Sequence, residues 1–297
     1  MSRETYAAID IGSNAIRLLV NYVSNKNDFK KAAFIRVPLR LGEDVFNEGA
    51  ITPEKCDKLC EAMSAFSAVM KTFDVKSYRA CATSAMREAR NGADIVNYIN
   101  HNCGVDIDII SGQEEARLIF EAGDIANLTS GAARYLFVDV GGGSTEVTLY
   151  SDNKRVVSDS FPLGTVRMIT GKGIAREEMT RFKEWLESVV LPHKPTVIVG
   201  SGGNISKIHK LLSKKDGESF SYVELKVLYT YIKDMSYDER INCFGLNPYR
   251  ADVIVPAMKI FSTVAKCCRI NEIIAPRIGL AEGIIHHLSI QKRKLKL

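Results

Sequence analysis

One pattern occurs twice in this chain and constrains its fold more than any other feature. Residues 5–23, TYAAIDIGSNAIRLLVNYV, and residues 134–150, RYLFVDVGGGSTEVTLY, each read as strand, glycine turn, strand. Apolar and β-branched runs flank a turn-forming cluster in both copies. The aspartates near the end of each first strand, Asp10 and Asp139, lie 129 residues apart (139 − 10). That is about one domain length, so the repeat predicts two similar domains rather than a solenoid of short units. The boundary is expected in the small-residue stretch AGDIANLTSGA at 122–132. This gives an N-terminal domain of residues 1–125 and a C-terminal domain of residues 126–297, whose last helix is a candidate to pack back on the first domain.

The rest of the chain alternates strands with helices. Strands are predicted at 33–41, 76–83 and 105–110 in the first half, and at 155–161, 195–199 and 270–275 in the second. Thr52-Pro53-Glu54 is a helix start, with a Thr cap and Pro at the first position, and the helix should run to Thr72 with Leu59, Met63, Phe66 and Met70 on one face. Further helices are predicted at 94–101, from SGQEEARLIFEAG, at 175–190, 205–212, 222–234 and 252–267, and from GLAEGIIHHL near the end. The class is α/β.

Composition narrows the function. With 46% hydrophobic and 25% charged residues the chain has the make-up of a soluble globular protein, and no apolar run is long enough to span a bilayer. The N-terminus, MSRETYAAIDIGSN, has no signal-peptide core, which predicts a cytoplasmic location and no membrane partner. Seven cysteines with no CxxC argue for reduced thiols rather than a disulfide framework or a zinc site, and Cys56 and Cys60, four apart on a helix, read as small helix residues. The net charge of +5 sits partly in the tail QKRKLKL and suits an anionic substrate; no reading motif accompanies it, so no nucleic-acid partner is predicted.

The glycine turns carry the chemistry. A tight turn with glycines permits positive φ, lets a ligand approach the backbone and aims several N–H groups at one anion. Gly12 and Ser13 in the first turn, and Gly141, Gly142, Gly143, Ser144 and Thr145 in the second, are the phosphate-binding candidates. The flanking carboxylates Asp139, Glu146 and Asp10 would repel bare phosphate, and suit Mg²⁺, or Mn²⁺, held between carboxylate and phosphate oxygens. Arg87 in ATSAMREA follows a strand, where a guanidinium clamps phosphate oxygens or lies on the surface at a helix start. Glu114 and Glu115 in SGQEEARL point about 100° apart on a helix, so one of them faces any given site; both also complement a helix N-terminus, and the residues alone do not choose between these readings. A third cluster, VIVGSGGNISKI with Gly202, runs from strand into helix and can receive a phosphate or a nucleotide; it matches neither GxGxxG nor a P-loop.

Taken in order, AIDIGSNAIRLLV, ATSAMREA, IISGQEEARLIF, FVDVGGGSTEV and VGSGGNISKI resemble the exopolyphosphatase/guanosine pentaphosphate phosphohydrolase (Ppx/GppA) family over nearly the whole chain. The resemblance implies two ribonuclease-H-like domains of the actin-like ATPase superfamily flanking an interdomain cleft. It implies Mg²⁺-dependent removal of terminal phosphate from polyphosphate or from guanosine pentaphosphate (pppGpp), and a homodimer. By position it makes Glu115 the catalytic base, Asp139 and Glu146 the metal-associated carboxylates, and Gly141, Gly142, Gly143, Ser144, Ser13, Asn14 and Arg87 the phosphate contacts. Two departures stand out. The chain ends before the helical HD-like domain of longer members, and the family's Gly-Leu-Arg-Glu-Gly reads Gly279-Leu280-Ala281-Glu282-Gly283, with Arg277 as a candidate substitute for the missing arginine. A small-metabolite kinase on the same fold, and a non-enzymatic polyphosphate or nucleotide sensor, remain the competing readings.

Overall fold

The computed structural model describes residues 4–24, 28–122, 129, 131–170 and 176–294, the side chains of 292–294 excepted. The chain divides into two compact units, Met1–Gly123 with Ile278–Leu297, and Asp124–Arg277. The last helix therefore belongs to the first unit. The expected boundary at 125/126 lies outside the described residues.

In the first unit, strands β1 (Glu4–Ile11), β2 (Ile16–Val23), β3 (Phe29–Val37), β4 (Ser77–Ala82) and β5 (Ile107–Ile109) form a sheet of order β3-β2-β1-β4-β5. β1, β2 and β3 pair antiparallel, and β4 and β5 run parallel to β1. The second unit repeats this plan with β6 (Arg134–Val140), β7 (Thr145–Ser151), β8 (Lys154–Phe161), β9 (Val197–Ser201) and β11 (Glu272–Ile274), in the order β8-β7-β6-β9-β11, and adds the edge strand β10 (Phe220–Ser221). Each unit is thus α/β with a mixed sheet.

The central strands are apolar because helices cover both faces. All of β1 after Glu4 is buried, as is all of β6 after Arg134. The core of the second unit joins Leu136, Val138, Val147 and Leu149 of the sheet to Phe182, Ile205 and Phe261 of its helices. Each such side chain stabilises the fold by roughly 1.5–3 kcal/mol. An aspartate in such a strand is costly to bury, so its position at the carboxyl end of β1 or β6 is informative: in sheets of this kind ligands bind there.

Most helices fall where periodicity placed them, including Pro53–Thr72, whose cap Thr52 accepts from the Lys55 N–H and which buries Leu59, Met63, Phe66 and Met70. Several segments differ. The strand expected at 33–41 ends at Val37, before Pro38, and Leu41 opens a helix to Glu48. The helix expected at 175–190 is described from Arg176 to Trp185 and then widens into π turns over Leu186–Val190, stopped by Pro192; Ala175 lies outside the described residues. The short helices Ser84–Glu88 and Thr165–Ile169 had no periodic signal because five residues do not complete two turns. No helix among the described residues is long and apolar enough to cross a membrane.

Candidate active site

The two glycine turns share one backbone design. In the first, the Gly12 N–H donates to the Ala15 carbonyl at 3.2 Å; in the second, the Gly141 N–H donates to the Ser144 carbonyl at 2.9 Å. In each, the start of a short helix binds the turn's carbonyls. The Ser13 carbonyl accepts from the Gly42 N–H (2.9 Å) and the Asn14 carbonyl from the Arg40 N–H (3.1 Å), Arg40 holding a left-handed backbone with φ of 53°. In the second unit the Gly141 carbonyl accepts from the Thr165 N–H (3.0 Å) and the Gly142 carbonyl from the Val166 N–H (2.8 Å). The Gly143 carbonyl accepts from Arg167 Nε (2.8 Å). A trans peptide sets its N–H opposite its C=O. Fixing three successive carbonyls on the helix side therefore turns the N–H groups of Gly142, Gly143 and Ser144 the other way, the arrangement that receives an anion.

The glycines serve close approach more than positive φ. Gly141, Gly142 and Gly143 are not among the positive-φ glycines. The tight position is Gly164, where a Cβ would lie 2.2 Å from the Gly143 carbonyl carbon and 2.3 Å from the Gly142 oxygen. Gly42 does the same in the first unit, a Cβ there meeting Ser13 Cβ at 2.9 Å. Sequence reasoning missed both backing helices, whose one signal is a glycine or its neighbour opening a short helix after Pro38 or Pro162.

The carboxylates differ between the units. Asp139 on β6 stands directly across from Glu146 on β7, and they are 7% and 3% exposed. Two like charges in such a pair are destabilising unless something neutralises them. Ser144 Oγ and Ser160 Oγ both donate to Glu146 Oε1, at 2.7 and 2.9 Å. The Ser144 hydroxyl, expected to face phosphate, is thus placed on Glu146. Asp10, at the matching position of β1, stands across from Arg17 and is ion-paired with it. The first unit therefore neutralises its buried aspartate with the arginine across the ladder, whereas in the second a glutamate stands at that position. Gly202, with φ of 100°, lies past the end of β9 beside Asp139; a Cβ would sit 3.4 Å from Asp139 Oδ1. The following helix start is held by Arg250, which donates to the Gly203 carbonyl and to Asn204 Oδ1.

In the first unit the parallel strands bring Arg87 and Glu115 to the end of the sheet that carries the Gly12 turn. The links are continuous. The Thr83 N–H donates to the Ile11 carbonyl (3.1 Å) and the Ile110 N–H to the Ala82 carbonyl (3.0 Å). Arg87 Nη1 donates to the Ile110 carbonyl at 2.6 Å, just before Ser111 caps the Gly112–Glu121 helix. Glu114 is engaged by Arg117 (2.8 Å) and Arg79 (3.3 Å), and Arg117 first, then Arg79, hold its carboxyl below the usual range. Glu115 is half-buried on the adjacent face.

The C-terminal helix Leu280–Lys294 adds residues that sequence reasoning left aside. A Cβ on Gly283 would lie 2.2 Å from the Leu118 carbonyl oxygen, so this helix crosses the Glu115 helix in backbone contact. His287 Nδ1 lies 3.1 Å from Glu121 Oε2 on the same two helices. Glu282 is mostly buried, which pushes its carboxyl up; Lys31 and Arg17 pull the other way. Ala281 is buried at 3% exposure, and Arg277 pairs with Asp216 on the surface of the second unit.

Among the described residues no group of three or more His, Cys, Asp or Glu side chains is arranged to hold a metal ion. Mg²⁺ needs no such cage, since it uses one or two carboxylates and completes its shell with water and phosphate oxygens. The buried Asp139–Glu146 pair beside an anion-receiving turn fits that pattern.

Known proteins agree with this architecture. The Ppx/GppA phosphatase family matches residues 22–291. Exopolyphosphatase 1 of Mycobacterium tuberculosis is 26% identical over 296 residues, 93% of this chain and 86% of that protein. The crystal structure of an exopolyphosphatase from Cytophaga hutchinsonii superposes with a TM-score of 0.83 at 21% identity, covering 97% of this chain and 98% of that one. The Aquifex aeolicus Ppx/GppA family member gives 0.78 at 24%, covering 98% and 99%.

Proposed function

The chain belongs to the Ppx/GppA phosphatase family, and on that premise we propose that it is a phosphoanhydride hydrolase releasing terminal phosphate from inorganic polyphosphate, from pppGpp, or from both. The observation that carries this reading is the Asp139–Glu146 pair, buried and directly opposed beside a turn whose carbonyls are tied back. Such a pair repels phosphate alone and binds it with a divalent cation.

The roles divide as follows. The N–H groups of Gly142, Gly143 and Ser144 hold phosphate oxygens, with Gly141 and Gly202 leaving room beside Asp139. Asp139 and Glu146 hold Mg²⁺ or Mn²⁺, which when bound offsets charge on the phosphates. Asp10, ion-paired with Arg17, fixes the first turn, and Gly12, Ser13, Asn14 and Arg87 offer that unit's phosphate contacts. Glu115 orients a water in line and accepts its proton, while Glu114 stays in its arginine pairs.

The test is a phosphate-release assay with short polyphosphate, long polyphosphate and pppGpp side by side, with Mg²⁺ and with a chelator. Release from at least one substrate that stops with the chelator and resumes on adding Mg²⁺ is the expected outcome. No release from any of the three refutes the proposal.

A further inference from the structure

Arg40 precedes the Leu41–Glu48 helix with φ of 53° and ψ of 44°, in the left-handed region, and no side-chain bond caps that helix start. Glycine, asparagine and aspartate adopt this region readily, whereas an arginine does so at a cost in stability. In the second unit the residue before the backing helix is Gly164, with an ordinary extended backbone (φ of −111°). With the left-handed bend in place, the Arg40 N–H donates to the Asn14 carbonyl and the Gly42 N–H to the Ser13 carbonyl. The conformation of this one residue thus bears on where the Gly12 turn lies against its backing helix.

Lys55, on the Pro53–Thr72 helix, closes on that bend. Its Nζ donates to the Arg40 carbonyl at 2.8 Å and to Asp44 Oδ1 at 2.6 Å, and lies 3.4 Å from Glu43 Oε2. The Arg40 carbonyl also accepts from the Glu43 N–H (3.0 Å). Asp44 is fixed from the same helix start, where the Thr52 N–H (3.0 Å) and hydroxyl (2.6 Å) both donate to its Oδ2. The Lys55 and Asp44 side chains are 19% and 12% exposed, so water screens this pair less than one on the open surface. Burial pushes the Asp44 carboxyl up, but Lys55 and Thr52 hold it below the usual range.

We propose that Lys55 is a positioning residue for phosphate release: its ammonium group locks Arg40 in the left-handed conformation and so holds the Gly12–Asn14 turn where it meets phosphate. Lys55 has this role only if the chain is the phosphoanhydride hydrolase proposed above, with that turn as a phosphate contact. The ammonium acts through the Arg40 carbonyl and Asp44 rather than on substrate. Removing it leaves that carbonyl with one donor in place of two, and lets Arg40 relax toward the extended backbone usual before a helix.

The experiment compares the parent chain with Lys55→Met, which keeps the aliphatic stem, and with Asp44→Asn, which weakens the same lock from its other side. Lys58→Met, at an exposed lysine of the same helix paired with Glu54, is the control. Two readouts are taken well below Tm: amide hydrogen exchange at Arg40 and Gly42, and kcat/KM for phosphate release from the best of short polyphosphate, long polyphosphate and pppGpp. Lys55→Met and Asp44→Asn should each speed exchange at both amides about tenfold and lower kcat/KM roughly tenfold or more, and Lys58→Met should change neither. Glycine adopts the left-handed region freely, so in an Arg40→Gly background the lock is dispensable and Lys55→Met should cost less than about threefold. Three results overturn the proposal: unchanged exchange at Arg40 and Gly42, faster exchange with kcat/KM within about twofold of the parent, or an undiminished loss in the Arg40→Gly background. A parent chain that releases no phosphate from any of the three substrates refutes the hydrolase reading instead, and the exchange readout still decides whether Lys55 holds the turn.

Discussion

Replacing Gly164 by alanine tests whether the backing helix sets the phosphate turn. The added Cβ would stand 2.2 Å from the Gly143 carbonyl carbon and 2.3 Å from both Gly143 Cα and the Gly142 oxygen, where ordinary contact begins near 3.4 Å. All three neighbours are backbone, so no side chain can rotate away. Turn and helix must separate by roughly 1 Å, which strains the bonds that Thr165, Val166 and Arg167 make to the turn. Overpacking of this kind costs about 1–3 kcal/mol, a Tm fall of roughly 3–10 °C for a unit of this size. Displacing the phosphate oxygens by about 1 Å costs on the order of 100-fold in rate. The assay is kcat and KM for phosphate release from the best substrate, with Tm by calorimetry. Turnover within twofold of the parent at any Tm would refute the reasoning, because a displaced turn would then have no bearing on the chemistry.

Other perturbations read out other parts of the account. Glu115→Gln should lower kcat by about 10²- to 10⁴-fold with phosphate binding retained, whereas Glu114→Gln should leave kcat near the parent value. Near-parental turnover in Glu115→Gln would remove that residue from the base role. Gly283→Ala forces a Cβ to 2.2 Å from the Leu118 oxygen, and should lower kcat more than it raises KM and lower Tm by several degrees. An unchanged kcat would show that the C-terminal helix does not position Glu115. Because burial raises the Glu282 carboxyl, the folded chain binds this proton more tightly than the unfolded one. Its contribution is therefore favourable at low pH and is lost as pH rises through the raised value. Glu282→Gln should flatten that fall in stability above pH 4.5, and an unchanged denaturation profile from pH 4 to 8 would count against it.

The repeat was the most legible part of the molecule, because a strand pattern around an aspartate and glycines survives in sequence whatever surrounds it. It gave the two sheets and the Asp10–Asp139 correspondence. What it could not give were the partners across the ladder. That Asp10 meets Arg17 while Asp139 meets Glu146 follows from register, and register depends on a four-residue turn whose length shows only in the hydrogen bonds. The backing segments were illegible for a similar reason, since Gly42 and Gly164 act through tertiary approach and leave no local period. The residues alone left Glu114 and Glu115 open and only the family resemblance chose Glu115; that Arg79, 35 residues upstream, engages Glu114 shows only in the fold. The C-terminal helix read correctly as a helix, but nothing local to GLAEG says that it lies against Leu118.

Hydrolysis, as against transfer to a metabolite, is the central claim, and isotope incorporation tests it most directly. The chain should be incubated with polyphosphate and Mg²⁺ in ¹⁸O-enriched water, without nucleotide, and the released phosphate analysed by mass spectrometry. The account predicts one water-derived oxygen in each phosphate released, with release almost eliminated in Glu115→Gln. Phosphate lost only when ADP or another acceptor is supplied, and appearing on that acceptor without ¹⁸O, would contradict it.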